Sequence, residues 1–462
     1  MKKKFKKLFL IIFSFSILLY LLITYLFGSS FIEIIKKNIS IENKKFIKEK
    51  LFPYQLISRQ SFYELNLDRE QLFSIKGFLS EKELIFKKSL REIPVKKIEE
   101  IQLSNQMLFE KYRLIDGFYS GIKNKFPGSG YIDFHNDNLV ILSARGVLSF
   151  TSDIYKEKNF AQIENNINNF IDLKQYIKSA KFSLKDLLIH KDNIFISFTE
   201  EIKNDCWNVS VISGNFNYKK IKFKKIFSSE KCIHSKNNQD NNFEPHSSGG
   251  RIVNYDDDHI LLSVGEFLES WLAQEKNNIN GKIIKINKKK STYEIISMGH
   301  RNPQGLFLDK ENKFILETEH GPIGGDEINL INLSEINYNN PPNYGWAIVS
   351  DGEHYGSKNK NSKKYKKYPL YKSHTKYGFI EPIKSFVPSI GISEITKIQN
   401  KKYVVSSLKN ESLYFFELNE ENKLININSI KVFERIRDIK FHKNALYLFL
   451  EDTASLGIIR FP

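Results

Sequence analysis

The chain has 462 residues, 41% of them apolar and 13% aromatic, enough to bury a sizeable core, which sets disorder aside. A formal net charge of +17 raises nucleic acid as a partner. The lysines are spread along the whole chain, however, and no helix-turn-helix, zinc-finger or ribonucleoprotein motif accompanies them, so that class is excluded. Residues 1–7, MKKKFKK, predict a basic cytoplasmic tail. Residues 8–27 carry no charge and, at about 1.5 Å per residue, are long enough to cross a hydrocarbon core of roughly 30 Å. They predict a transmembrane signal anchor whose lysines stay inside and send the rest of the chain outward. A cleaved signal peptide is the alternative, with Gly28, Ser29 and Ser30 as small residues for cleavage. Residues 28–114 are mixed and charged and predict a short stem, partly helical.

From residue 115 to 462 short apolar or alternating runs recur between Gly, Asn and Asp clusters. This texture predicts an all-β domain of sandwich, barrel or propeller type. A domain this long suits six four-stranded units, although no sharp repeat fixes that number. Asp256, Asp257 and Asp258 read as a hairpin turn. Cys206 and Cys232 are not a CxxC pair; outside the cytoplasm they form one disulfide, or else stay as two buried thiols.

Three segments concentrate polar chemistry. The first runs Pro245-His246-Ser247-Ser248-Gly249-Gly250-Arg251, and places a histidine on a loop just before a strand, where an imidazole can act as a base. In the second, GHRNPQGL begins at Gly299, ETEHGPIGGDEINL at Glu317 and NYGW at Asn343. Its Arg suits carboxylates, and a Gly-Pro backbone can offer carbonyl oxygens to calcium. The third holds Lys409, then Arg435 and Arg437, two residues apart and so on one face of a strand, where they need an anion, a carboxylate or water between them.

Together these motifs resemble the glucose/sorbosone dehydrogenase family over residues 115–462. The resemblance implies a six-bladed β-propeller, here preceded by the membrane anchor and stem, with its site at the axial mouth. It further implies a periplasm-facing oxidoreductase that oxidises the C1 hydroxyl of an aldose or related alcohol, by hydride transfer to pyrroloquinoline quinone. Carried over by motif, His246 is the base and Arg301 acts with it at the reacting centre. Asn302, His320, Lys409, Arg435 and Arg437 hold the cofactor, Gly321 and Pro322 ligate calcium, and Asp438 orients an arginine. The chain departs from the family at Pro245, where an Asp is common, and in spacing, since Arg251 stands five residues after His246. It also lacks the Gln- or Glu-Gly-Gly-Leu motif in the region Ser179 to Ile189. These departures suit an alternative, a non-catalytic envelope propeller that has lost the cofactor. A calcium-dependent lactonase is a third reading, by fold analogy.

Overall fold

The computed structural model of the chain describes residues 15–16, 92–104, 107–114, 129–171, 175, 182–355 and 359–461. The chain divides into two units, Met1–Leu72 and Phe73–Pro462. All the described strands lie in the second. The expected anchor, residues 8–27, lies outside the described residues except for Phe15 and Ser16. Among the described residues no helix is long and apolar enough to cross a membrane.

The described strands build six four-stranded antiparallel blades. Their inner strands are Gly130–His135, Leu184–His190, Gly249–Asn254, Pro303–Asp309, Ile392–Gln399 and Ile436–His442, for blades one to six. Each inner strand packs on the next, and the sixth packs on the first, so the strands close a ring. This is the arrangement of a β-propeller, in which radial repetition shortens exposed sheet edges. The aspartate run at 256–258 is a hairpin turn between the first two strands of blade three, and the Asp256 carboxylate accepts the Asp258 and His259 amides at 2.8 and 2.7 Å.

Blade six takes three strands from the C-terminal end of the chain and its fourth from Met107–Leu114. Glu92–Ser104 pairs outside that strand and continues, at Glu92 to Pro94, onto blade one. The boundary expected after residue 114 therefore falls behind two strands that pair with blades six and one. The mixed, charged sequence of Glu92–Ser104 hid that strand, because it shows several side chains to water. The core is divided in the same sixfold way. One apolar cluster lies between each pair of neighbouring blades, such as Ile132, Phe160, Phe449 and Leu456 between blades one and six. Full burial of each such side chain contributes about 1.5–3 kcal/mol, so closing the ring joins six small cores. Cys206 and Cys232 are disulfide-bonded, with Cα atoms 5.2 Å apart, across 26 positions of blade two.

Candidate active site at the propeller mouth

In each blade the start of the inner strand and the end of the second strand share one end of the propeller, because the two run antiparallel. His246, Arg301 and Asn302, and Arg435 and Arg437 stand at or just before inner strands. His320, Gly321 and Pro322 follow the second strand of blade four, Phe314–Glu319, and Lys409 follows that of blade five, Lys402–Ser407. The fold thus brings every site residue read from the sequence to one mouth.

His246 lies on a short 3-10 turn, Pro245–Ser248, and is exposed. Its backbone N–H donates to the Glu244 carboxylate at 3.1 Å, which caps the turn. Arg301 is buried, and its guanidinium donates to the carbonyls of His320 and Gly321 at 2.7 and 2.8 Å. Trp346 lies 5.4 Å beneath it, and the buried Glu266 carboxyl attracts it from the side. Asn302 turns its side-chain oxygen to the Gly249 amide at 3.1 Å and to Gln304 at 3.0 Å, so it ties blade four to the His246 loop.

A cavity of about 540 Å³ opens between blades four, five and six, lined by His320, Gly321, Asp326, Lys409 and Arg435 among others. Burial lowers the His320 imidazole below its usual range, and its Nε2 has no hydrogen-bond partner among the described residues. A neutral ring with a spare nitrogen, beside two cations, suits a flat acidic ligand. Gly321 has no room for a side chain, since a Cβ would lie 1.6 Å from the Gly325 carbonyl oxygen.

Arg435 and Arg437 do share a face, and the anion between them is built in. Glu451, fully buried, accepts from them at 3.2 and 2.6 Å. Burial alone would raise its carboxyl, but Arg437 and Arg435 overcome that and hold it at about 2. Arg437 also donates to the Gln304 side chain at 2.9 Å, so its fork is committed within the protein while Arg435 still faces the cavity.

The expected calcium ligands are in hand, but their oxygens are engaged. Gly321 O accepts the Arg301 guanidinium, and Pro322 O accepts the Ser389 hydroxyl at 3.2 Å. A calcium ion on Gly321 O would sit against a guanidinium, so it does not fit this arrangement. A richer set of cation donors lies behind it. His300 Nδ1 stands 3.7 Å from Glu317 and 3.6 Å from Glu319, all three buried. His300 Nδ1 and Glu317 Oε1 lack partners among the described residues. Burial and the Glu319 charge push Glu317 and Glu327 well above the carboxylate range. The motifs containing these acids were read, but not their convergence, which depends on the pairing of Glu319 with Glu327 across two strands.

Where the quinone motif was missing, blade two carries Lys185 and Asp186. Lys185 is buried with Nζ 3.4 Å from Pro245 O, and burial, aided by Arg437, lowers it to about 7. Gly250 lies flat against it at φ 119°, where a Cβ would meet the Lys185 Cβ at 2.3 Å. Asp186 pairs with Arg251 at 2.9 Å. Arg251 also reaches Asp438 at 3.0 Å and Glu394 at 3.0 Å, so the arginine that Asp438 pairs with is Arg251. Arg251 in turn donates to Arg437 O at 2.8 Å, which links this buried cluster to the mouth.

The profile of the Glucose / Sorbosone dehydrogenase family matches residues 173–460. Aldose sugar dehydrogenase YliI of Escherichia coli is 24% identical over 237 residues, 46% of this chain and 59% of that protein. The chain spans about half the length of the curated relatives it matches. The crystal structure of the soluble aldose sugar dehydrogenase from Escherichia coli in the apo-form aligns with TM-score 0.57 at 18% identity, over 81% of this chain and 100% of that one. The PQQ-bound form of aldose sugar dehydrogenase from Streptomyces coelicolor aligns with TM-score 0.54 at 15% identity, over 80% and 98%. With the motifs, the blades and the mouth in agreement with the profile, this chain belongs to the glucose/sorbosone dehydrogenase family.

Proposed function

We propose that the protein is a pyrroloquinoline-quinone-dependent dehydrogenase that oxidises the C1 hydroxyl of an aldose or a related alcohol. The observation that carries this is the cavity at the mouth, where Lys409, Arg435 and the neutral His320 face one volume. Lys409 and Arg435 neutralise the carboxylates of the quinone. When bound, the quinone supplies the two-electron acceptor for the C1 hydride. His246, exposed on its turn, takes the hydroxyl proton. Arg301, fixed by two carbonyls and the Trp346 face, holds the reacting oxygen in place. Glu451 and Gln304 hold Arg437, and Arg251 holds the backbone it hangs from.

The domain works on the outer side of the cytoplasmic membrane, tethered by residues 8–27 behind their lysine cluster. The Cys206–Cys232 disulfide suits an oxidising compartment. The test is a titration of the purified full-length protein with the quinone, followed by absorbance. Saturable stoichiometric binding, weakened at least tenfold in a Lys409→Ala/Arg435→Ala double variant, is the expected result. An absence of saturable binding by the unaltered protein overturns the reading and leaves the non-catalytic propeller.

A further inference from the structure

A second cavity, of about 550 Å³, lies between blades two and three at the end of the propeller opposite the mouth. The placement follows from the strands. It is lined by the hairpin after the inner strand of blade two, at His190 and Lys191. The end of that blade's third strand, Cys206–Asn215, and the start of its fourth, Lys224–Ser228, complete that side. Across from them stand Asp257, Lys288 and Lys289 of blade three. Phe195 and Ile226 give it an apolar floor.

The lining of this cavity gathers like charge. Five lysines line it, Lys191, Lys222, Lys224, Lys288 and Lys289, against the single acid Asp257. Some lysines elsewhere sit on carboxylates, as Lys97 on Glu110, Lys220 on Glu164 and Lys397 on Asp309. In the cavity Lys191 has Asp257 at 2.6 Å and Lys289 has Asp258 at 3.1 Å. Lys222 and Lys224 have no carboxylate in ion-pair range among the described residues. Among the described residues Lys288 donates to neutral groups, Asn254 Oδ1 and Asp256 O at 2.8 Å and Asp257 O at 3.2 Å, over the Phe195 ring, while the Asp256, Asp257 and Asp258 carboxylates attract it from further off. Burial lowers its ammonium, and burial with Lys288 and Lys191 lowers His190 beside it. Like charges gathered in a concave space repel one another unless an anion joins them.

We propose that this cavity binds a multiply charged phosphate ester, with its phosphoryl oxygens among Lys222, Lys224 and Lys288 and its apolar portion on Phe195 and Ile226. Compact ammonium groups suit phosphoryl oxygens, and the volume is that of a small-ligand pocket. Free phosphate esters and lipid headgroups share this chemistry. The site is remote from the mouth, so it stands whether or not the quinone binds.

The test is calorimetric titration of the purified full-length protein with inorganic pyrophosphate and, separately, with monomeric short-chain phosphatidic acid. Saturable one-to-one binding of either probe is expected. It should weaken at least tenfold in a Lys222→Gln/Lys224→Gln variant, both positions being exposed, and change less than twofold in Lys220→Gln, which lies outside the cavity. Tighter binding of the lipid supports a headgroup as the source, and tighter binding of pyrophosphate a soluble ester. Failure of both probes to saturate, or equal losses in the two variants, overturns the proposal.

Discussion

Replacing Arg251 by leucine removes one guanidinium from among three buried carboxylates, Asp186, Glu394 and Asp438, all within 3.0 Å of it. Among the described residues Lys440 is then the cation left near them; burial would lower its ammonium, and Asp133, Asp438, Asp186 and Glu394 overcome that and raise it. Breaking a buried pair from one side costs about 3–5 kcal/mol, because the stranded charge cannot reach water. At about 2 cal/mol/K of unfolding entropy per residue, a domain of roughly 350 residues would lose about 4–7 °C in melting temperature. The loss should depend on pH in a fixed direction. Burial raises Asp186, and raises Glu394 to about 7, even with Arg251 present. Acids raised on folding hold protons that the unfolded chain has released, so they cost stability as pH climbs from the usual carboxylate range toward 7. Without Arg251 they rise further, so the deficit of Arg251→Leu should be larger at pH 8 than at pH 5. Thermal melts of both proteins across that range decide it. A deficit under about 1 kcal/mol, or one that is flat with pH, would refute the view that these carboxylates are ionised around Arg251.

Glu451→Gln should release Arg435 and Arg437 and weaken quinone binding through lost positioning. Since Glu451 is held at about 2, its contribution is full above the usual carboxylate range and fades as pH falls toward 2, so the variant should lose the acid-side slope in melts of the unaltered protein. Cys232→Ser opens the disulfide of blade two and should cost about 2–4 kcal/mol in denaturant unfolding. Phe449→Ala leaves a cavity between blades one and six, where Phe449 is fully buried, and should cost about 3–5 kcal/mol. Chelation of calcium should change quinone affinity less than twofold while Arg301 occupies Gly321 O; a complete loss of binding would mean that the guanidinium swings away to admit the ion.

What could be read in the sequence was what lies on short stretches of chain. GHRNPQGL and EHGPIGGDEINL carry their roles in linear order because each is one loop plus the strand it feeds. The partners of those loops come from distant strands. Arg251 and Asp438 are 187 positions apart, and Ser129 donates to Glu451 from 322 positions away at 2.7 Å. Nothing local marks Glu451 as the anion between Arg435 and Arg437. The same holds for Lys185, an unremarkable lysine until the ring closes it against Gly250 and Pro245. The strand Met107–Leu114 was missed for a different reason. Its four central residues are buried in succession, so it shows no alternation, and the partner that seats it in blade six lies at the other end of the chain.

The axial charges follow from an edge problem. The inner strand of every blade is the last strand of its sheet, so its inward N–H groups have no strand to donate to. Buried without a partner, each would cost about 1–3 kcal/mol. Carboxylates from the neighbouring blade take several of them. Asp438 accepts from Ile132 at 2.7 Å, Asp133 from Ile189 at 2.6 Å, Asp186 from Ile252 at 2.7 Å and Glu394 from Leu306 at 3.1 Å. Apolar residues of the same volume could fill the axis but could not make these bonds. Four acids on one axis then require cations, and Arg251 and Lys440 supply them. The buried cluster is thus better explained by register than by net stabilisation, which buried ion pairs seldom give. Each acid fixes one blade against the next, and the loops that lead into those strands converge on the mouth in one arrangement.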